Sequence, residues 1–138
     1  MATTLAQVLQ RLDAVLRASA PAGTTIFRGR ADALARSETP SINVKLGSHS
    51  VEPQAGEMDV HTVMVELQLS VRDDDVLLAA EALHEAVHRP VMTDAQLLAL
   101  VDSIRHVDAD GDPEPADETS LTKVARYRLI YSRLKTTL

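Results

Sequence analysis

Residues Asp59 to Arg72 read DVHTVMVELQLSVR, and this stretch determines how the rest of the chain can fold. From Val63 to Val71 every odd position is apolar, whereas most even positions between them are polar. Successive side chains of a β-strand point to opposite faces, so this alternation predicts a strand. At about 3.3 Å per residue the strand would be about 40 Å long. We expect one of its faces to lie on the core and the other to meet water or a partner.

Composition excludes several classes of protein. A length of 138 residues favours one domain spanning 1–138. Only 2% of residues are aromatic and the net charge is −6, which argues against specific nucleic-acid binding. Cysteine is absent, so disulfides and cysteine zinc sites are excluded. No apolar run approaches the roughly 20 residues of a membrane span and no signal-peptide pattern is present, so we expect a cytoplasmic protein without a membrane partner.

Three segments have apolar side chains every three or four residues, which predicts amphipathic helices. Their apolar stripes run from Leu5 to Leu16, from Val76 to Val87 and from Leu97 to Ile104. Pro21 and Pro90 would end the first two helices, because proline cannot continue a helix. Polar residues that suit helix N-termini precede each stripe: Thr3 or Thr4, the run Asp73-Asp74-Asp75, and Thr93 or Asp94.

Residues 24–28, 41–46 and 121–134 are predicted to form three further strands. Residues 47–58 and 108–119 contain Gly, Pro and charged residues without periodicity, which predicts two mobile loops. The expected order is therefore α-β-β-β-α-α-β. Helices with one apolar stripe and strands with one apolar face bury each other as two layers. We expect an α+β fold with about four strands in a mostly antiparallel sheet and helices on one face.

The face of this sheet that the helices leave open is expected to be polar. It would carry Glu66, Gln68 and Arg72 beside Arg126 and Arg128. If the long strand and the last strand are neighbours, Glu66 would pair with one of the last two arginines. An exposed pair of this kind contributes only about 0.2–1 kcal/mol.

Residues 84–88 read HEAVH and match the H-E-x-x-H pattern of zinc proteases on a predicted helix. His84 and His88 would bind one Zn²⁺ while Glu85 activates water, and His106 or Asp108 would be the third ligand. The metzincin continuation of the motif is missing. On a helical wheel both histidines fall on the flank and solvent face beside the buried stripe. We therefore interpret the motif as a solvated helix face that binds Zn²⁺ or Ni²⁺ adventitiously.

A second metal-like pattern begins with Asp108, Asp110 and Asp112. Pro113 stands where an EF-hand needs glycine, and Thr119 stands where it needs a bidentate glutamate. We interpret this segment as a solvated acidic loop. The alternative is a weak Mg²⁺ or Ca²⁺ contact between subunits.

The remaining sequence offers no convincing active site. His49 and His61 stand alone, and we expect both at the surface. The sequence contains neither a G-x-S-x-G elbow nor a G-x-x-x-x-G-K-[ST] phosphate loop. The sequence therefore favours a binding or assembly protein over an enzyme, and no cofactor is expected.

The order and spacing of these segments resemble the lambda-like minor tail protein U family, the tail terminators of long-tailed phages. The resemblance covers nearly the whole chain. It is carried by the N-terminal amphipathic helix, the long alternating strand, the acidic segment before the tyrosine-bearing last strand, and the stretches GTTIFRGR (23–30), TPSINVKL (39–46) and RPVMTD (89–94). The HEAVH pentapeptide is not part of the family pattern.

The resemblance implies a non-enzymatic α/β domain that closes into a hexameric ring on the finished tail tube. Such a ring ends tube polymerisation and provides the surface for joining the head. The implied partners are further copies of the chain, the major tail tube protein and a head–tail connector protein. The implied location is the bacterial cytoplasm during assembly and then the virion tail.

A ring built from one repeated contact needs two different patches on each protomer. Our candidates for this assembly surface are Glu66, Arg72, Asp108, Asp110, Asp112, Arg126 and Arg128. Two alternatives remain: another phage neck or tail-completion protein of similar fold, and a small zinc hydrolase that uses His84, Glu85 and His88.

Overall fold

The computed structural model describes residues 3–31, 38–54, 56–114 and 117–136, with the side chains of 111–114 and 117–118 outside the description. Within these ranges the chain forms three helices and five strands. The helices are α1 (Thr4–Ser19), α2 (Val76–Thr93) and α3 (Ala95–Leu100). The strands are β1 (Thr25–Arg28), β2 (Ser41–Pro53), β3 (Met58–Arg72), β4 (Ser103–Glu114) and β5 (Asp117–Leu134).

The five strands form one sheet in the order β1-β2-β3-β5-β4. β1 runs parallel to β2, and every other neighbouring pair is antiparallel. The expected α+β class is confirmed. The sheet has one strand more than expected and is mixed.

β3 lies in the middle of the sheet and organises the core as its alternation predicted. Its odd-numbered apolar residues from Val63 to Val71 are buried. The helices cover this face of the sheet, and β5 adds side chains to the same core. The helix and β5 residues buried there are Val8, Leu12, Val15, Leu16, Val76, Ala80, Leu83, Val87, Val91, Leu97, Leu121, Ala125, Tyr127, Leu129 and Tyr131.

The predicted helix caps are present. Thr3 Oγ1 accepts a hydrogen bond from the backbone N–H of Ala6 at 3.1 Å. In the aspartate run, Asp75 caps α2 and Asp73 accepts from the backbone N–H of Asp75. Asp94 caps α3 in the same way. These carboxylates satisfy N–H groups that have no partner inside a helix.

Pro90 does not end α2, which continues to Thr93. Proline removes one backbone hydrogen bond from a helix interior. Here the last turn is nevertheless retained, because Val91 is buried in the core and the N–H of Asp94 donates to Pro90 O at 2.9 Å. Packing therefore outweighs the lost hydrogen bond at this position.

The prediction of a loop over 47–58 is wrong. β2 continues to Pro53 and pairs with β3 to the end of the strand, where Pro53 lies opposite Asp59. Side chains on both faces of this part of β2 are exposed, so no alternation marks it as a strand. The register shifts between Leu46 and Ser48, on either side of Gly47. Residues 46–54 and 56–62 therefore form a hairpin arm, where a mobile loop was expected.

The prediction of a loop over 108–119 is also wrong. β4 and β5 pair from Ser103 opposite Ile130 to Glu114 opposite Asp117, and residues 115–116 lie outside the description. Ile104, expected in the third helix, belongs to β4 because α3 ends at Leu100. Aspartate and glycine have low strand propensity, so pairing with β5 rather than local sequence makes this segment a strand.

Candidate assembly surface

The strand register brings four of the expected surface residues together on the open face of the sheet. Glu66 lies opposite Arg126 on the next strand, and Arg126 lies opposite Asp108. Arg126 Nη1 donates to Asp108 Oδ1 at 2.8 Å and to Asp110 Oδ2 at 2.9 Å. Its Nε donates to Glu66 Oε1 at 3.3 Å, so the predicted pair between Glu66 and an arginine is confirmed.

The hydrogen bonds that Arg126 donates to Asp108, Asp110 and Glu66, together with the charge of Asp108, raise the pKa of its guanidinium. The cluster is thus three carboxylates around one permanent cation. Because Asp108 and Asp110 are held by this cation, they do not form a freely solvated acidic loop. The side chain of Asp112 lies outside the described residues.

The other two expected residues lie apart from this cluster. Arg72 is at the far end of β3, where it faces Ser120 of β5. Arg128 lies two residues along β5 from Arg126 and directly opposite Arg105 of β4. Like charges in this position disfavour the pairing of two strands.

The arginine pair, Arg105 and Arg128, forms no ion pair in the described part of the chain. Neither side chain makes a hydrogen bond or ion pair there, although Arg126 nearby makes three. Arg105 was not a candidate from the sequence, because β4 was not recognised as a strand. Two unpaired cations side by side make this part of the sheet suited to an acidic partner.

Beyond the arginine pair, the open face carries five apolar side chains where polar ones were expected, with Thr62 and Ser132 between them. The register places Met58 opposite Leu134, while Val60, Met64 and Ile130 belong to the same face. We call these five residues the apolar patch. Met58 and Leu134 are exposed, and the other three are half-buried and lie outside the core. The apolar character of even positions 58, 60 and 64 is the sequence signal that could have revealed the patch.

The two histidines of the HEAVH motif face inward toward β5 and not toward solvent. His84 is buried, which the helical wheel did not predict. His84 Nε2 lies 2.8 Å from the Tyr127 hydroxyl oxygen, and His88 Nδ1 lies 2.7 Å from the same atom. The hydroxyl can donate to one imidazole and accept from the other. Both histidines therefore act as hydrogen-bond partners of a buried tyrosine.

His106 lies beside His84, His88 and Tyr127, where a third ligand to a metal held by the two histidines would have to lie. We call these four residues the histidine cluster. The ring of His106 stacks on Tyr127 with centroids 5.0 Å apart, and its centroid is 5.3 Å from that of His84. However, no three His, Asp or Glu side chains in the described ranges are arranged so that they could hold one metal ion. Glu85, which would activate water, is exposed. His84, His88 and Tyr127 thus form a hydrogen-bonded group on which the ring of His106 packs.

Burial perturbs the titration of this group. The pKa of His84 is lowered to about 4, first by burial and then by the positive charge of Lys123. The pKa of His88 is also lowered by burial. Burial raises the pKa of Tyr127, so its hydroxyl stays protonated. All three groups are neutral near pH 7.

His49 and His61 were expected as isolated surface residues, but His61 is not at the surface and neither histidine is isolated. His61 is buried and stacks on Tyr131 with ring centroids 4.8 Å apart. His49 is exposed, and its Nε2 lies 2.9 Å from His61 Nδ1. The register of β2 with β3 and of β3 with β5 brings these three residues together, although they are distant in sequence. They fix the base of the hairpin arm.

The comparisons with known proteins rest on the fold alone. No protein-family model matches this chain, and no curated protein matches it. Among solved structures, the chain is similar to one from the virion of a native gene transfer agent (GTA) particle. The similarity has a TM-score of 0.51 at 17% sequence identity and covers 91% of this chain and 92% of that chain. In the described part of the chain, no helix is both long and apolar enough to cross a membrane.

Proposed function

We propose that this chain is a structural protein of a phage or phage-like particle that closes the end of the tail tube as a ring. The observation that carries this proposal is the shared fold with a chain of a gene transfer agent virion over nearly the full length of both. A fold alone does not fix a function. The surfaces of this chain and the resemblance of its sequence segments supply the further support.

The open face of the sheet suits a role in assembly. It combines the apolar patch with the arginine pair, and Met58, Leu134 and Arg105 are exposed there. Apolar surface beside unpaired arginines is typical of protein interfaces, which are enriched in arginine and methionine. The hairpin arm offers a second exposed element, with an open strand edge beyond the four residues of β2 that β1 covers.

The proposed ring is a homo-oligomer, most simply a hexamer, with the tail tube protein on one side and a head–tail connector protein on the other. It requires no cofactor, and Mg²⁺ acts at most as a weak aid to assembly. Its location is the host cytoplasm during assembly and the virion tail afterwards. A neck or tail-completion protein of similar fold is the second candidate, since the shared fold fits it as well.

Tube growth in the presence of the chain tests the proposal. Purified tail tube protein is polymerised with and without the chain, and tube lengths and ends are measured by electron microscopy. We expect ring-shaped densities at one tube end and shorter tubes as the chain concentration rises. Tubes of unchanged length that bind the chain nowhere would refute tube termination. Ring-shaped densities at one tube end without any effect on tube length would favour the neck protein.

A further inference from the structure

Besides the open sheet face, the molecule exposes a second apolar surface at the start of α2. Leu77 and Leu78 are 65% and 68% exposed, more than any other large apolar side chain in the described part of the chain. Three exposed carboxylates, Asp73, Asp74 and Asp75, precede them in the chain, separated from Leu77 by the buried Val76. We call these five residues the leucine corner. Adjacent exposed leucines cost solubility in a free monomer and are typical of an interaction site.

The leucine corner and the apolar patch are complementary in chemistry. The corner offers two leucines bordered by negative charge, and the patch offers five apolar side chains bordered by the arginine pair. Asp73 and Asp75 accept backbone hydrogen bonds at the helix start, whereas Asp74 makes none with a described residue. Docking the two surfaces would bury apolar area and place acidic side chains near unpaired arginines.

The two surfaces lie at opposite ends of β3. The patch lies at the start of β3, on the open face of the sheet, while the corner follows its end and belongs to the helix layer. One protomer therefore cannot join its own two surfaces. A two-fold dimer would not readily bring the leucine corner of each copy onto the apolar patch of the other. A contact between the corner of one copy and the patch of the next is heterologous, so it propagates and closes into a ring when its rotation closes.

We propose that the leucine corner of one copy docks on the apolar patch and arginine pair of the next copy. This inference rests on the ring formation proposed above and specifies which surfaces form its repeated contact. The partner is a second copy of this chain. The charges at the border of each surface set the orientation, and the leucines supply the buried area.

Cross-linking tests the contact directly, because the chain has no cysteine of its own. Leu78→Cys and Ile130→Cys are made separately, mixed in equal amounts over a wide concentration range, and treated with a short bismaleimide. We expect a dimer that links positions 78 and 130 in the mixture and little dimer from either variant alone. Leu98→Cys is the matched control, since this exposed leucine lies on α3 and outside both surfaces. Mixed with Ile130→Cys, it should give no specific dimer.

A charge exchange gives a second measurement. Asp74→Arg and Arg105→Asp should each weaken self-association about tenfold in sedimentation velocity, because each places like charges across the contact. The double variant should recover most of the loss. Loss that is not recovered in the double variant, with each single variant folded by circular dichroism, would contradict the proposed orientation.

The two proposals fail in different ways. If wild-type rings are seen but positions 78 and 130 do not cross-link at any concentration, the docking contact is wrong and ring formation stands. If the same reaction is repeated with tail tube protein present and position 78 cross-links only to that protein, the corner binds that partner and self-docking is overturned. If the 78–130 link forms but tube length is unaffected, the contact is correct and tube termination is overturned.

Discussion

Lowering the pH from 7 to 5 should remove about 2 kcal/mol from the free energy of unfolding, and the histidine cluster under α2 supplies the reason. In an unfolded chain His84 has its ordinary pKa of 6.5, but in the folded chain burial lowers this pKa to about 4. The unfolded chain therefore binds the proton more tightly, so acid favours unfolding. The stability contributed by neutral His84 is complete above about pH 6.5 and is lost progressively as the pH falls toward about 4.

The magnitude follows from these two pKa values. Linkage gives a difference of about 2 kcal/mol between pH 7 and pH 5 for one group titrating at about 4 when folded and 6.5 when unfolded. Burial also lowers the pKa of His61 and His88, so both add to the loss in the same direction. The carboxylate of Asp94, with a pKa lowered to about 2, loses its contribution only at more acid pH.

Urea unfolding followed by far-UV circular dichroism at pH 7, 6 and 5 measures this loss. His84→Gln keeps a hydrogen-bonding group beside Tyr127 but does not titrate, so its stability should fall about 2 kcal/mol less than that of the wild type over the same range. The matched control is His49→Gln, because the His49 side chain is exposed. It should keep most of the pH dependence. An equal loss in wild type and His84→Gln would show that another group takes up the proton.

Three further changes test the packing and charge arguments. Leu67→Ala, at a fully buried position of β3, should cost about 2–5 kcal/mol in urea unfolding, whereas Leu98→Ala at an exposed position should cost far less. Asp94→Ala removes the cap of α3 and both hydrogen bonds from Arg11, and should lower the free energy of unfolding by about 1–2 kcal/mol at pH 7. An unchanged free energy of unfolding would contradict this role of the cap. Arg126→Met leaves Asp108 and its neighbouring carboxylates without their cation, so the melting temperature should fall in low salt and partly recover in high salt. A fall that does not depend on salt would indicate lost packing.

The sequence predicted those parts of the fold that are buried on one side only. The alternation of β3 and the stripe of α1 are visible because one face of each meets the core and the other does not. Residues 107–110 of β4 and the outer half of β2 have no such contrast, since their side chains are exposed on both faces. Their strand structure comes from pairing with β5 and β3, which no local pattern reports.

The candidate site was predicted in part for the same reason. Glu66 and Arg126 were correctly expected on one face, because alternation fixes which side chains share a face. The inward position of His84 was missed, because a polar residue on a helical wheel is assigned to solvent unless its partner is known. That partner, Tyr127, lies 43 residues away in sequence and reaches His84 only through the sheet. Arg105 was missed because β4 was not predicted to be a strand.

The placement of the two tyrosines has a practical consequence for anyone who follows this protein by spectroscopy. Tyr127 and Tyr131 both lie on the core side of β5, each stacked on a histidine, and the chain has no tryptophan. Neither the leucine corner nor the apolar patch contains an aromatic ring. Intrinsic ultraviolet fluorescence should therefore report whether each copy is intact while remaining nearly blind to association. Scattered light would report the association, so one sample yields both signals without a label.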